Sequence, residues 1–204
     1  EVLTKPRIIK FTTGQRSQHW NKNCVALGLA AGFLEPLEST SIHLIQRGII
    51  RLLQMFPTQG INQSDMDEFN AQMKEEFLFV RDFIVLHYHV TERDDTPFWR
   101  QCRDMKIPET LQHRIDLFKD SGRIFQKDND IFTENSWSQV MLGQGLMPEE
   151  FHPIVNMMTD DELEAFLSSI PGKSIKRIGK YQASIRLHRE VSTQLNFELQ
   201  AEKK

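Results

Sequence analysis

The chain has 204 residues, 39% hydrophobic and 26% charged, a balance that supports a buried core and excludes intrinsic disorder. Its 25 Lys and Arg against 28 Asp and Glu give a formal charge of -3. The basic residues are spread along the chain, so neither nucleic acid nor an anionic membrane is an expected partner. The two cysteines, Cys24 and Cys102, lie far apart without metal-ligand spacing. They read as core thiols of a protein in a reducing, cytoplasmic compartment. No stretch approaches the roughly 18 apolar residues of a membrane span, and no secretory leader is recognisable.

In chain order, Arg7 to Thr13 and Lys22 to Gly28 are β-rich runs of strand length, and the remainder reads as helical. Two strands alone make a marginal sheet. They are therefore expected to belong to a larger sheet lying N-terminal to this chain. Ser39 to about Met55 carries Ile42, Ile45, Ile49, Leu52 and Leu53 at helical spacing, closed by Pro57 and Gly60. A second helix is expected from Ser64 to about His87, with Met66, Phe69, Met73, Phe77, Val80 and Ile84 on one face. Shorter helices follow Thr96-Pro97 and Pro108 and span Ser136 to Leu142. Thr159 and Glu162 form a capping box for a helix ending before Pro171. A last long helix is expected over Ile175 to Leu199, with Ile178, Tyr181, Ile185, Val191, Leu195 and Leu199 on a face. The polar tail Gln200 to Lys204 is expected to fray.

Chemistry concentrates in Asn23 to Gln46, NCVALGLAAGFLEPLESTSIHLIQ. A strand ends at Gly28, a small-residue turn follows, and a Pro-containing loop feeds a helix at Ser39-Thr40. Such a turn aims free backbone N–H groups at whatever precedes the helix, and the short side chains of Ser39, Thr40 and Ser41 let an anion approach them. Glu35 and Glu38 flank the spot. A carboxylate beside an anion-ready helix start is a candidate functional site. The plain alternative is a Ser/Thr N-cap with acidic residues favouring the helix N-terminus.

Thr12 to Ala30 (TTGQRSQHWNKNCVALGLA) and Gly32 to Gln46 (GFLEPLESTSIHLIQ) resemble the stretch of flavin-dependent tryptophan halogenases that follows their last flavin-domain strands. Arg81 to Trp99 (RDFIVLHYHVTERDDTPFW) and Ser136 to Pro153 (SWSQVMLGQGLMPEEFHP) resemble the same family, so the likeness covers most of the chain. An EPLEST block between strand and helix is far more specific than a lone glycine motif. The resemblance implies a mostly α fold: the helical C-terminal half of a flavin monooxygenase-like α/β protein. Residues 1–38 would then close the FAD-binding domain, and residues 39–204 would form a helical substrate-side domain.

It further implies that Glu38 is catalytic and that the Thr40 and Ser41 amides bind halide. Many family members have Gly where this chain has Ser41, a change that keeps the amide but narrows the space before it. Gly28, Leu29 and Ala30, with Pro36 and Ser39, would contact FAD. In such enzymes reduced flavin and oxygen convert chloride or bromide to hypohalous acid, which travels through a tunnel to tryptophan or another indole. A separate flavin reductase supplies the reduced flavin, and a homodimer is compatible with this organisation. The family's lysine, its GxGxxG turn and its WxWxIP signature do not occur in this sequence and belong to an N-terminal half.

Indole binding in the family relies on stacking against aromatic side chains. Trp137 is the first candidate, with Trp99 and Phe98 behind it, although a Trp at helical spacing also suits a core. His87 and His89 fail as a metal pair because alternate helical positions point apart and no further ligand set completes a site. The scattered methionines read as core fillers. Two other functions fit the pattern less fully: a related flavin monooxygenase without halogenation, and a non-enzymatic helical interaction domain whose strands pair with another chain.

Overall fold

The structure is a computed structural model that describes residues 7–8, 10–150, 152–169, 179–186 and 192–199. The chain divides into two compact units, Glu1–Glu149 and Glu150–Lys204. The first opens with four two-residue strands, β1 (Gly14–Gln15), β2 (Trp20–Asn21), β3 (Cys24–Val25) and β4 (Gly32–Phe33), paired antiparallel as β1 with β4 and β2 with β3. This corrects the expected strand pair. The described residues from Arg7 to Thr13 form no strand, and the run from Lys22 to Gly28 contributes only Cys24–Val25.

The reason lies in side-chain substitution for a sheet neighbour. Asn70 Oδ1 accepts from the backbone of His19 at 2.7 Å and of Trp20 at 2.8 Å, and its Nδ2 donates to the Trp20 carbonyl at 2.9 Å. Backbone groups that a longer ladder would occupy are thus satisfied by a helix. Gly32 permits the close approach of β1 and β4 to that helix. A Cβ there would lie 2.7 Å from the Gly14 carbonyl oxygen and 2.8 Å from the Phe77 ring.

Five helices follow: α1 (Ser41–Gln54), α2 (Gln63–His89), α3 (Pro97–Asp104), α4 (Glu109–Ser121) and α5 (Glu134–Gly143). Thr96 caps α3 and Thr133 caps α5 through their hydroxyls, while Gly122, at φ +66°, ends α4 in the left-handed conformation. α2 is the spine and carries two apolar faces rather than the single one expected. Phe69, Met73, Phe77, Val80 and Ile84 pack with Trp20, Ala31 and Leu44. Phe83 and Leu86 pack with Leu111, Ile115, Phe118, Trp137 and Met141.

α1 turns differently from expectation. Leu44, Gly48 and Arg51 are its buried residues, while Ile42, Ile49 and Leu53 are 69%, 43% and 68% exposed. The inward face is set by charge as well as apolar contact: Arg51 Nη1 and Arg47 Nε donate to opposite oxygens of the fully buried Glu76, at 3.1 and 2.7 Å. Stabilising a buried carboxylate outranks burying one more isoleucine.

In the second unit, α6 (Asp160–Ser169) begins with the expected capping box: the Thr159 amide donates to Glu162 Oε2 at 2.8 Å and the Glu162 amide to Thr159 Oγ1 at 3.3 Å. The expected last helix is overturned. β5 (Gly179–Arg186) and β6 (Ser192–Leu199) form an antiparallel hairpin that sets Tyr181 opposite Phe197 and Ile185 opposite Thr193. Tyr181 and Ile185 are four positions apart, a spacing that satisfies a helix face and, equally, alternate positions of a strand. Leu195 and Leu199 in β6 share that four-residue spacing, while Ala183 and Phe197, each midway between such a pair, fit only the period of two. The tail Gln200 to Lys204 lies outside the described residues. No helix among the described residues is long and apolar enough to cross a membrane.

Candidate active site

The turn after β3 begins at Gly28, whose φ of +60° suits glycine, and closes as the Ala31 amide donates to the Gly28 carbonyl at 2.9 Å. Leu29, 73% exposed, and Ala30 line an open trough of about 680 Å³ with Phe11, Arg16 and Phe33. Gly28 sits beneath it against Ile45. The trough does not reach Glu38, Thr40 or Ser41, but a small cleft of about 20 Å³ is lined by Gly28 and Leu29 together with Ser41.

A second surface is the EPLEST loop. Pro36 starts a tight turn that the Ser39 amide closes on the Pro36 carbonyl at 2.9 Å. Inside it Glu38 (φ +67°) and Ser39 (φ +53°) are both left-handed, a conformation that costs a non-glycine residue on the order of 1–3 kcal/mol. Backbone strain of this kind clusters at active sites, which makes Glu38 a candidate. Thr40 returns to the helical region and is buried, and its carbonyl accepts the first α1 hydrogen bond, from Leu44, at 3.0 Å. Its hydroxyl does not cap the helix. Beyond the tight turn Leu37–Ser39 and α1 themselves, no acceptor among the described residues meets the amides of Thr40 and Ser41. The plain N-cap reading therefore fails here, and the loop presents amide dipoles beside a carboxylate.

α2 brings two further groups to the loop. His87 Nε2 lies 3.3 Å from Glu38 Oε1, while His87 Nδ1 stands 2.7 Å from the Phe83 carbonyl oxygen. The next residue, Tyr88, donates its hydroxyl hydrogen to Glu35 Oε1. That bond to an anion, reinforced by burial, pushes the Tyr88 phenol up to about 12. Tyr88 stacks on Trp99 at 5.9 Å, Phe98 meets both rings edge-on, and the Arg93 guanidinium lies 4.3 Å from the Trp99 centroid. The expected pair Phe98 and Trp99 thus forms an aromatic ledge beside the loop, with Phe98 55% exposed.

Sequence reasoning missed His87 and Tyr88 as site residues. Within HYH, helical periodicity showed only that the histidines diverge. Among the described residues no cluster of three metal-ligating side chains occurs. Trp137 takes a different place from the one expected. It is wholly buried; its Nε1 donates to Asp130 at 3.2 Å, the Arg114 guanidinium covers its ring at 3.9 Å, and Phe83 abuts it edge-on at 4.8 Å. In this chain the ring leaves no face for stacking on an indole, because satisfying its N–H drew it into the core beside Asp130.

Residues 1–160 match the family model for tryptophan halogenase. The chain belongs to the tryptophan halogenase family. Tryptophan 6-halogenase ThaL of Streptomyces albogriseolus is 30% identical over 173 residues, covering 78% of this chain and 33% of its own length. Among solved structures, a flavin-dependent halogenase from Xanthomonas campestris superposes with a TM-score of 0.77 at 58% identity, covering 82% of this chain and 34% of that one. BrvH, a flavin-dependent halogenase from Brevundimonas, gives 0.76 at 48% identity, with 81% and 34% covered. This halogenase-family chain spans about a third of the length of these relatives.

Proposed function

We propose that the chain forms the C-terminal part of an FAD-dependent halogenase acting on tryptophan or a related indole, with chloride or bromide as the ion consumed. The observation that carries this reading is the EPLEST loop itself: a strained Glu38 followed, after Ser39, by the Thr40 and Ser41 amides at the start of α1. Bound reduced flavin, with oxygen, would supply the oxidising power that makes halide electrophilic. The chain's own residues do the rest. The Thr40 and Ser41 amides hold the halide by dipoles, which neutralise little of its charge and need no rearrangement as it reacts. Glu38 takes the proton that leaves the ring carbon when the carbon–halogen bond forms.

The turn at Gly28, Leu29 and Ala30, with Pro36 and Ser39, fits one wall of a flavin site. Its small side chains open onto a trough with Arg16 at the edge, a donor set suited to the polar portion of a cofactor. The Tyr88, Phe98 and Trp99 ledge, with Phe98 exposed, suits a flat aromatic substrate. Residues 1–38 then close the FAD-binding domain and residues 39–204 form the substrate side, with the N-terminal half of the protein, a flavin reductase and a homodimeric partner as the associations this reading carries. The exposed α1 stripe of Ile42, Ile49 and Leu53 supports contact with further protein.

The test is to supply the full-length protein with a flavin reductase, FAD, oxygen and bromide, and to offer tryptophan and indole in parallel. Halogenated product that depends on halide and on Glu38 is the expected result. Oxygenated product without halogen would favour a monooxygenase instead.

A further inference from the structure

The contact between His87 and Glu38 constrains protons as well as positions. A carbonyl oxygen only accepts, so the 2.7 Å approach of His87 Nδ1 to the Phe83 carbonyl puts a hydrogen on Nδ1. A neutral His87 would then turn a lone pair on Nε2 toward Glu38 Oε1, 3.3 Å away. An ionised carboxylate would meet it with another lone pair. The contact is attractive only when one proton lies between the two groups. The ring itself is well held: Phe83 packs edge-on at 4.8 Å, and only 18% of the side chain is exposed against 41% for Glu38. Glu38 Oε2 has no partner among the described residues.

We propose that His87 is the positioning residue for Glu38. It fixes the carboxylate of a left-handed, strained residue through Oε1 and so leaves Oε2 as the oxygen that meets the departing ring proton. This rests on the halogenase reading. In that step the ring C–H bond breaks, its electron pair restores the aromatic ring, and the proton passes to Oε2. In this role His87 acts through Glu38 alone. Its contribution lies in holding the carboxylate in the one orientation from which that transfer occurs.

Two side chains separate this role from a structural one. His87→Asn keeps an N–H donor near the Nδ1 position for the Phe83 carbonyl but does not reach Glu38. His87→Gln places a donor near the Nε2 position. In the full-length enzyme His87→Asn is expected to lower kcat for halogenation about 10- to 100-fold through loss of the contact that orients Glu38, with KM for the indole and flavin consumption unchanged within about twofold. His87→Gln is expected to restore most of that loss. An Asn variant as active as the wild type overturns the proposal, as does equal impairment of both variants with a raised KM. A second readout does not depend on turnover. The Nε2 nitrogen resonance of His87, followed by NMR in labelled full-length protein, should move on Glu38→Gln while the Nδ1 resonance stays. If Nε2 does not respond, the pairing is wrong. If the wild type makes no halogenated product yet Nε2 responds, the halogenase reading fails and the pairing stands.

Discussion

Tyr88 donates its hydroxyl hydrogen to Glu35 one helical residue after His87 meets Glu38, so the last turn of α2 grips both carboxylates of the EPLEST loop. The phenol is pushed up to about 12 because its protonated form is the one Glu35 stabilises. A folded-state value above the ordinary value near 10 means the folded chain binds more protons between those limits. The bond's contribution is therefore complete below about pH 10 and disappears as pH rises toward 12. Carbon NMR of ring-labelled tyrosine, with Tyr88→Phe for assignment, should show this late titration, and Glu35→Gln should return it toward 10. A Tyr88 resonance that titrates near 10 in the unmodified protein would remove the grip on Glu35.

Glu38→Gln in the full-length enzyme keeps the shape of the side chain and removes the base. A general base typically contributes about 100- to 10,000-fold, so halogenated product should fall by that order while reduced flavin is still oxidised. Product and flavin turnover are measured in the same reaction. Undiminished halogenation would leave Glu38 as a loop residue and direct attention to Glu35.

The pair of arginines on Glu76 yields a stability prediction. Glu76 is fully buried between Arg47 and Arg51, and Arg51 is itself buried. Glu76→Gln leaves a guanidinium in the core without its counter-charge, which should cost about 3–5 kcal/mol. Hydrogen exchange resolved along the chain should show the loss at α1 and the facing turns of α2, with α4 and α5 spared. Uniform loss, or none, would mean the pair does not anchor α1.

The helices were legible because their signals are local. Thr96 caps α3 where that helix is expected to begin, and Thr159 with Glu162 forms its box, while α5 starts from Thr133, ahead of the expected Ser136. The EPLEST block likewise announced its own loop. What was hidden depends on distant residues. Nothing near Trp20 shows that Asn70 will stand in for a strand, and nothing near Ile49 shows that Glu76 will draw Arg51 inward. The β5–β6 hairpin was missed because a four-residue apolar spacing serves both periods. His87 carries no local signal as a carboxylate partner, because within HYH only the packing of α2 against the EPLEST loop sets it apart from His89.

Expressed alone, these 204 residues should neither hold FAD tightly nor halogenate. Dinucleotide binding uses a strand, a glycine-rich turn and a helix N-terminus that receives the pyrophosphate. None of the ten glycines forms G-x-G-x-x-G. The trough beside Leu29 and Ala30 is open, one wall without its opposite. An oxidant formed there would meet water before indole, since confinement is what excludes such side reactions. The isolated chain should also self-associate, through the outward α1 stripe of Ile42, Ile49 and Leu53 extended by Phe56, which is 63% exposed. Titrating the purified chain with FAD, and then supplying reduced flavin, bromide, oxygen and indole, tests both statements. Light scattering of the same sample, compared with an Ile42→Lys, Leu53→Lys variant, tests the association. Stoichiometric FAD binding, or repeated turnover to bromoindole, would mean that the flavin site is complete within residues 1–204.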